Sequence, residues 1–116
     1  MRIAMVALAT VLAAAPAASQ ESGMTLDVRS LLSACTNATE SWISFCHGYV
    51  QAAHDASYAS GRHVPICVPP GTSRSHLADL FARQAFAAIT VEPSIGDVLG
   101  VAFAHAIFAD AYPCGG

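Results

Sequence analysis

The chain contains no lysine, and only 11% of its 116 residues are charged. Its five basic residues are Arg2, Arg29, Arg62, Arg74 and Arg83, set against eight carboxylates for a formal net charge of −3. The sequence pI is about 5.9. A nucleic-acid binder needs a basic face to displace counterions from phosphates, and this composition cannot build one. A polybasic membrane-surface helix is excluded for the same reason. Also missing are a phosphate-cradling glycine loop, a nucleophile elbow, paired catalytic carboxylates and the C-x-x-C-H haem signature. The cysteines lack the close paired spacing of a zinc site. We therefore expect no catalytic residue, no metal and no cofactor. What is present is apolar: hydrophobic residues make up 54% of the chain, which rules out intrinsic disorder. The length allows one domain.

Residues 1–19 read as a cleavable export signal. Arg2 is a minimal positive start, Ile3–Ala15 is an apolar run, Pro16 breaks it, and Ala17-Ala18-Ser19 offers small residues to a signal peptidase. The apolar run is shorter than the ~20 residues that span a bilayer. Cleavage after Ser19, or after Ala17 as second choice, leaves a mature domain that we take as residues 20–116. The expected location is the periplasm, with no membrane attachment after cleavage.

Cys35, Cys46, Cys67 and Cys114 remain in that domain. An even count in a small exported domain points to two disulfides formed in an oxidising compartment. Three pairings are possible. We favour Cys35–Cys46, which closes a short helix turn, and Cys67–Cys114, which ties a mid-chain loop to the C-terminus. The competing reading makes Cys46 a nucleophile with His54 or His105 as base, but no local context supports an activated thiolate.

Helical spacing organises the rest, and no period-two run of useful length predicts a strand. The fold class expected is all-α, a compact domain of four helices. The first covers Leu26–Thr36. Asn37 is read as the cap of the second, with Glu40 completing a capping box. The second helix runs to about Ser60 and stops at Gly61. Its stripe of Trp42, Phe45, Cys46, Tyr49, Ala52, Ala53 and Ala56, with Ile43 and Val50 on another side, predicts a helix central to the fold. Residues 62–72 form a loop punctuated by Pro65, Pro69, Pro70 and Gly71. Ser73 caps the third helix, which carries Leu77, Leu80, Phe81, Ala85, Ala88 and Ile89 and breaks at Thr90–Pro93. Ser94 with Asp97 opens the last helix, which ends at Pro113. Phe86, Ile107 and Phe108 lie on more than one face, so an apolar surface is expected to remain for a second copy or another protein.

Read in order, Phe45-Cys46-His47-Gly48-Tyr49-Val50, Cys67-Val68-Pro69-Pro70-Gly71, the helix opening at Ser73 and Tyr112-Pro113-Cys114 resemble the Rap/Tai immunity family of bacterial type VI secretion. The pattern there is a Cys-x-Gly-Tyr helix, a Cys-x-Pro loop, a Ser/Thr-capped helix and an aromatic-Pro-Cys end. The resemblance covers about residues 26–114. It implies a periplasmic, all-helical homodimer that binds a secreted peptidoglycan amidase and blocks its active site sterically, doing no chemistry itself. Cys46, Gly48, Tyr49, Cys67, Pro69, Pro113 and Cys114 match the family's scaffold positions, whereas its effector contacts vary with the effector. The chain departs from the pattern at Tyr112, where Phe is usual, at Gly96 and Gly100, which should loosen the last helix, and at the Thr90–Pro93 connection.

The residues themselves add that Gly48 on a central helix suits close approach of another backbone, and that the Tyr49 hydroxyl needs a hydrogen-bond partner. Arg62, His63 and Arg74 flank the proline-rich loop and are candidates for contact with an acidic partner. His54 and Asp55 are neighbours in sequence and are expected on opposite sides of their helix. The alternative function is a periplasmic acid-stress chaperone, also small, helical and disulfide-stapled. Such chaperones are rich in lysine, and this chain has none.

Overall fold

The computed structural model describes residues 25–59 and 65–115. The export signal, residues 20–24, the helix stop at Gly61, and Arg62 and His63 lie outside the described residues. Four α-helices follow one another: α1 (Val28–Thr36), α2 (Glu40–Ala59), α3 (Arg74–Val91) and α4 (Gly100–Ala111), with a 3-10 turn at Pro93–Asp97 between α3 and α4. Among the described residues there is no strand, only two isolated bridges, Asp27 with Leu99 and Ile66 with Pro113. Both expected disulfides are formed, Cys35–Cys46 and Cys67–Cys114. The all-α, doubly stapled domain is what the sequence predicts.

The helix starts show which local signals decide structure. Asp27 caps α1 by accepting from the Ser30 N–H at 2.8 Å, and that bond holds its carboxyl below the ordinary aspartate range. Ser73 caps α3 by accepting from the His76 N–H at 3.1 Å, as expected. Asn37 does not cap α2. It is the C-cap of α1, and its carboxamide oxygen accepts from the N–H and hydroxyl of Thr39. That local turn competes with a cap, so α2 begins at Glu40 with Thr39 ahead of it. The Ser94–Asp97 expectation is also corrected. Pro93 at the first position starts a 3-10 turn instead, and Val98 is extended. The last helix starts only at Gly100, with no side-chain cap.

Backbone leading into α1 replaces that cap. The Gly100 N–H donates to the Leu26 carbonyl at 2.8 Å, and the Val28 N–H donates to the Val98 carbonyl at 2.9 Å. So close a crossing needs glycine: a Cβ at position 100 would sit 2.9 Å from the Leu26 oxygen and 3.2 Å from Leu31 Cδ2. Gly100 therefore locks the last helix to the first rather than loosening it. Gly100→Ala is expected to lower stability by about 1–3 kcal/mol through overpacking. Urea unfolding measures it, and a change below about 0.5 kcal/mol would contradict the crossing.

The core is built where the helices converge. Val28 and Leu31 of α1, Val50 of α2, Phe81 and Ala85 of α3, and Ala104 and Phe108 of α4 are fully buried. The Phe81 and Phe103 rings meet edge-on at 6.3 Å. Ile107 and Phe108, expected to contribute surface, belong to this core. Arg29 ties the 3-10 turn to α1, donating to Asp97 at 2.6 Å and to the Pro93 carbonyl at 3.1 Å. Its guanidinium passes over Gly96, where any side chain would collide with it. The His105 Nε2–H donates to the Ala53 carbonyl at 2.6 Å, joining α4 to the middle of α2.

Candidate binding surface

All four cysteines are consumed in disulfides. Cys46 is buried within α2, and its sulfur is bonded to Cys35, so it is not a free nucleophile. Among the described residues no cluster of His, Cys, Asp and Glu has the arrangement of a metal site, and no helix is long and apolar enough to cross a membrane. His54 and Asp55 do meet, contrary to expectation, with Nδ1 3.4 Å from Oδ1. The contact is long, and Asp55 is solvent-exposed.

Cys67–Cys114 forms part of a seam that holds the proline-rich loop down. The Cys67 N–H donates to the Tyr112 carbonyl at 2.8 Å, Ile66 pairs with Pro113, and the Tyr58 hydroxyl donates to the Ile66 carbonyl at 2.7 Å. Ile66 is thereby sealed from solvent. Pro69 is exposed in the same loop, and the following turn closes through the Thr72 N–H and hydroxyl on the Pro69 carbonyl. Gly71 there has φ 87°, a conformation that favours glycine. Arg74 opens α3 and is exposed to solvent. Arg29 and Arg83 are paired with Asp97 and Asp79, whereas Arg74 makes no ion pair among the described residues.

The greater departure from expectation is α2. Its buried line is Cys46, Val50, Ala53 and Ser57. Of the stripe read as its packing face, Cys46 and Ala53 are buried, but the aromatic part is turned outward: Trp42 is 45% exposed and Phe45 40%, with Tyr49 half-buried beside them. The rings form a continuous ridge, Trp42 to Phe45 at 5.6 Å and Phe45 to Tyr49 at 6.1 Å. One turn further on, Tyr49, Ala52, Ala53, Ala56 and Val101 of α4 line an open apolar groove of about 240 Å³. Gly48, expected to admit another backbone, has no atom within 4 Å of where its Cβ would lie. The Tyr49 hydroxyl has no partner among the described residues, and burial pushes its phenol above the ordinary value. On α3, Phe86 is 66% exposed, as expected.

The family model for Rap1a immunity proteins matches residues 27–114. The chain belongs to the Rap1a immunity protein family. The match begins at the Asp27 cap and ends at Cys114, so it takes in all four helices and both disulfides. No curated protein and no solved structure matches the chain. As a Rap1a immunity protein it is a binding protein for a secreted effector.

Proposed function

We propose that this immunity protein is exported to the periplasm and neutralises a type VI secreted peptidoglycan amidase by covering its active-site groove. The protein acts by occlusion alone and works as a homodimer. The observation that carries the reading is the family match across residues 27–114. Two disulfides in so small a domain suit an oxidising compartment, where the amidase's substrate also lies. Arg74, the described arginine left without an ion pair, contacts acidic groups of the amidase together with Arg62 and His63 of the preceding loop. The scaffold positions Gly48, Tyr49, Pro69 and Pro113 shape the domain that presents them.

Rescue from lysis tests the proposal. A candidate type VI peptidoglycan amidase is directed to the periplasm of a susceptible bacterium. Full-length protein is expected to prevent lysis, and the same chain without residues 1–19 is not. Arg74→Glu is expected to weaken amidase binding without changing helicity. Lysis that continues in cells holding the exported, folded protein would overturn the reading.

A further inference from the structure

The two bridges are unequally guarded. Cys46 is 2% exposed and Cys35 is half-buried, whereas Cys67 and Cys114 both face solvent. We infer that Cys67–Cys114 is a site of thiol–disulfide exchange with an external dithiol protein, entered at the Cys114 sulfur, and that its opening frees the proline-rich loop while the four helices stay folded. The inference goes beyond the amidase reading and does not depend on it.

Access decides which bridge reacts. Exchange begins when a thiolate reaches a sulfur of the bond that breaks, so exposed bridges are the labile ones. Loop length does not reverse this order. The sequence separations of 47 for the outer pair and 11 for the inner pair matter to the unfolded chain; in the folded protein both pairs are already held at bonding distance. The inner bridge is reached only through a hollow of about 170 Å³ between α2 and α3, with Ile43, Ala78 and Ala82 in its walls. That is smaller than the ~300–1,000 Å³ of a small-ligand pocket, and it does not admit the active-site loop of another protein.

The neighbours in the chain select the sulfur. Cys114 lies between exposed Pro113 and exposed Gly115, and no atom comes within 4 Å of where a Cβ at Gly115 would lie. Cys67 sits between buried Ile66 and half-buried Val68, and its N–H is held by the Tyr112 carbonyl. The attacking thiolate therefore bonds to Cys114 Sγ, the bond between the two protein sulfurs breaks, and Cys67 leaves as a thiolate that takes up a proton. The second thiol of the attacker, as its thiolate, then displaces Cys114, which is protonated in turn. Two electrons pass to the bridge, the external dithiol becomes a disulfide, and its two protons end on Cys67 and Cys114.

What opens is a seam and not the core. The bond from the Cys67 N–H to the Tyr112 carbonyl, the pairing of Ile66 with Pro113, and the Tyr58 hydroxyl on the Ile66 carbonyl all lie beside the bridge. The large side chains sealed where the helices converge, Leu31, Val50, Phe81 and Phe108, belong to α1, α2, α3 and α4. Cys35–Cys46 continues to join α1 to α2. Local opening of this kind is the behaviour of a segment with few buried contacts of its own. The freed segment leads through Thr72 into the Ser73 cap and exposed Arg74, so the redox state of one bridge sets how firmly the approach to α3 is held.

Timed reduction of the mature, oxidised protein tests this. Samples taken during treatment with dithiothreitol are alkylated with iodoacetamide and mapped by peptide mass spectrometry. Cys67 and Cys114 are expected to become alkylated about tenfold faster than Cys35 and Cys46. A thioredoxin whose resolving cysteine is replaced by serine traps the first step, and after an acid quench its adduct is expected on Cys114. Hydrogen exchange and circular dichroism then compare the oxidised protein with the protein opened at the outer bridge alone. The Cys67 amide is expected to lose protection, the Gly100 amide to keep it, and the helical signal to persist. Inner cysteines alkylated as fast as the outer pair, a thioredoxin adduct on Cys67, an equally protected Cys67 amide, or loss of helicity once the outer bridge opens would each overturn the inference. Amidase binding by the same two samples is read separately: if neither binds, the functional reading falls and the exchange site stands.

Discussion

Phe81→Ala should lower the unfolding free energy by about 3–5 kcal/mol, whereas Phe86→Ala, five residues further along the same helix, should change it by less than about 0.5 kcal/mol. Phe81 has no solvent exposure, and its ring meets Phe103 edge-on; Phe86 points to solvent. Truncating Phe81 removes the transfer free energy of the ring and leaves a hole that four packed helices cannot close. It also loses the ring pair, worth about 0.5–1.5 kcal/mol beyond burial. A domain of this size holds a net stability of about 5–15 kcal/mol. At ~4–8 °C per kcal/mol, the melting temperature should fall by roughly 12–40 °C. Thermal and urea unfolding of the two variants measure the contrast. Equal losses at the two positions would mean that α3 does not face the core as placed.

How much of this was legible beforehand differs from helix to helix. On α3 the apolar residues fall on one broad face, and Ser73 accepts from the His76 N–H ahead of it. Start, core face and exposed Phe86 were all readable there. On α2 the apolar residues go almost all the way round, and periodicity cannot choose between two such stripes. The deciding signal was present in the cysteine: the bond from Cys46 to Cys35 fixes which side of α2 meets α1, and Val50, Ala53 and Ser57 follow from it. The aromatic stripe drew attention by size, yet those rings lie outside. Ser94 with Asp97 has the spacing of a helix start, but Asp97 is held by Arg29 from the far end of the described chain. No local pattern anticipates a contact so distant in sequence. The same holds for Gly100, whose role depends on the Leu26 carbonyl crossing above it. The exposed apolar surface was legible only as an excess of apolar residues; its position required knowing which helix faces were already covered.

Replacing Cys67 and Cys114 together by alanine sets exposure against topology. Both residues are solvent-exposed, so packing alone predicts a change within about 0.5 kcal/mol. The chain-entropy account predicts otherwise. Their bridge closes a sequence separation of 47 residues, against 11 for Cys35–Cys46, and constraining the unfolded chain to loops of those lengths is worth about 4 and about 3 kcal/mol. The Cys67→Ala/Cys114→Ala variant should therefore lose about 4 kcal/mol in urea unfolding. The neighbouring Ile66–Pro113 pairing survives only as well as two unlinked segments can hold it. A loss below about 0.5 kcal/mol would show that the seam is held by its hydrogen bonds and the buried Ile66 instead. Reduction of both bridges should cost roughly 7 kcal/mol together, within the whole net stability expected of such a domain. The reduced protein is then expected to show little helical circular dichroism at 37 °C and to regain it on reoxidation. A fold that depends this heavily on sulfur bonds forms only where those bonds form, which links the stability of the domain to the compartment in which the proposed neutralisation takes place.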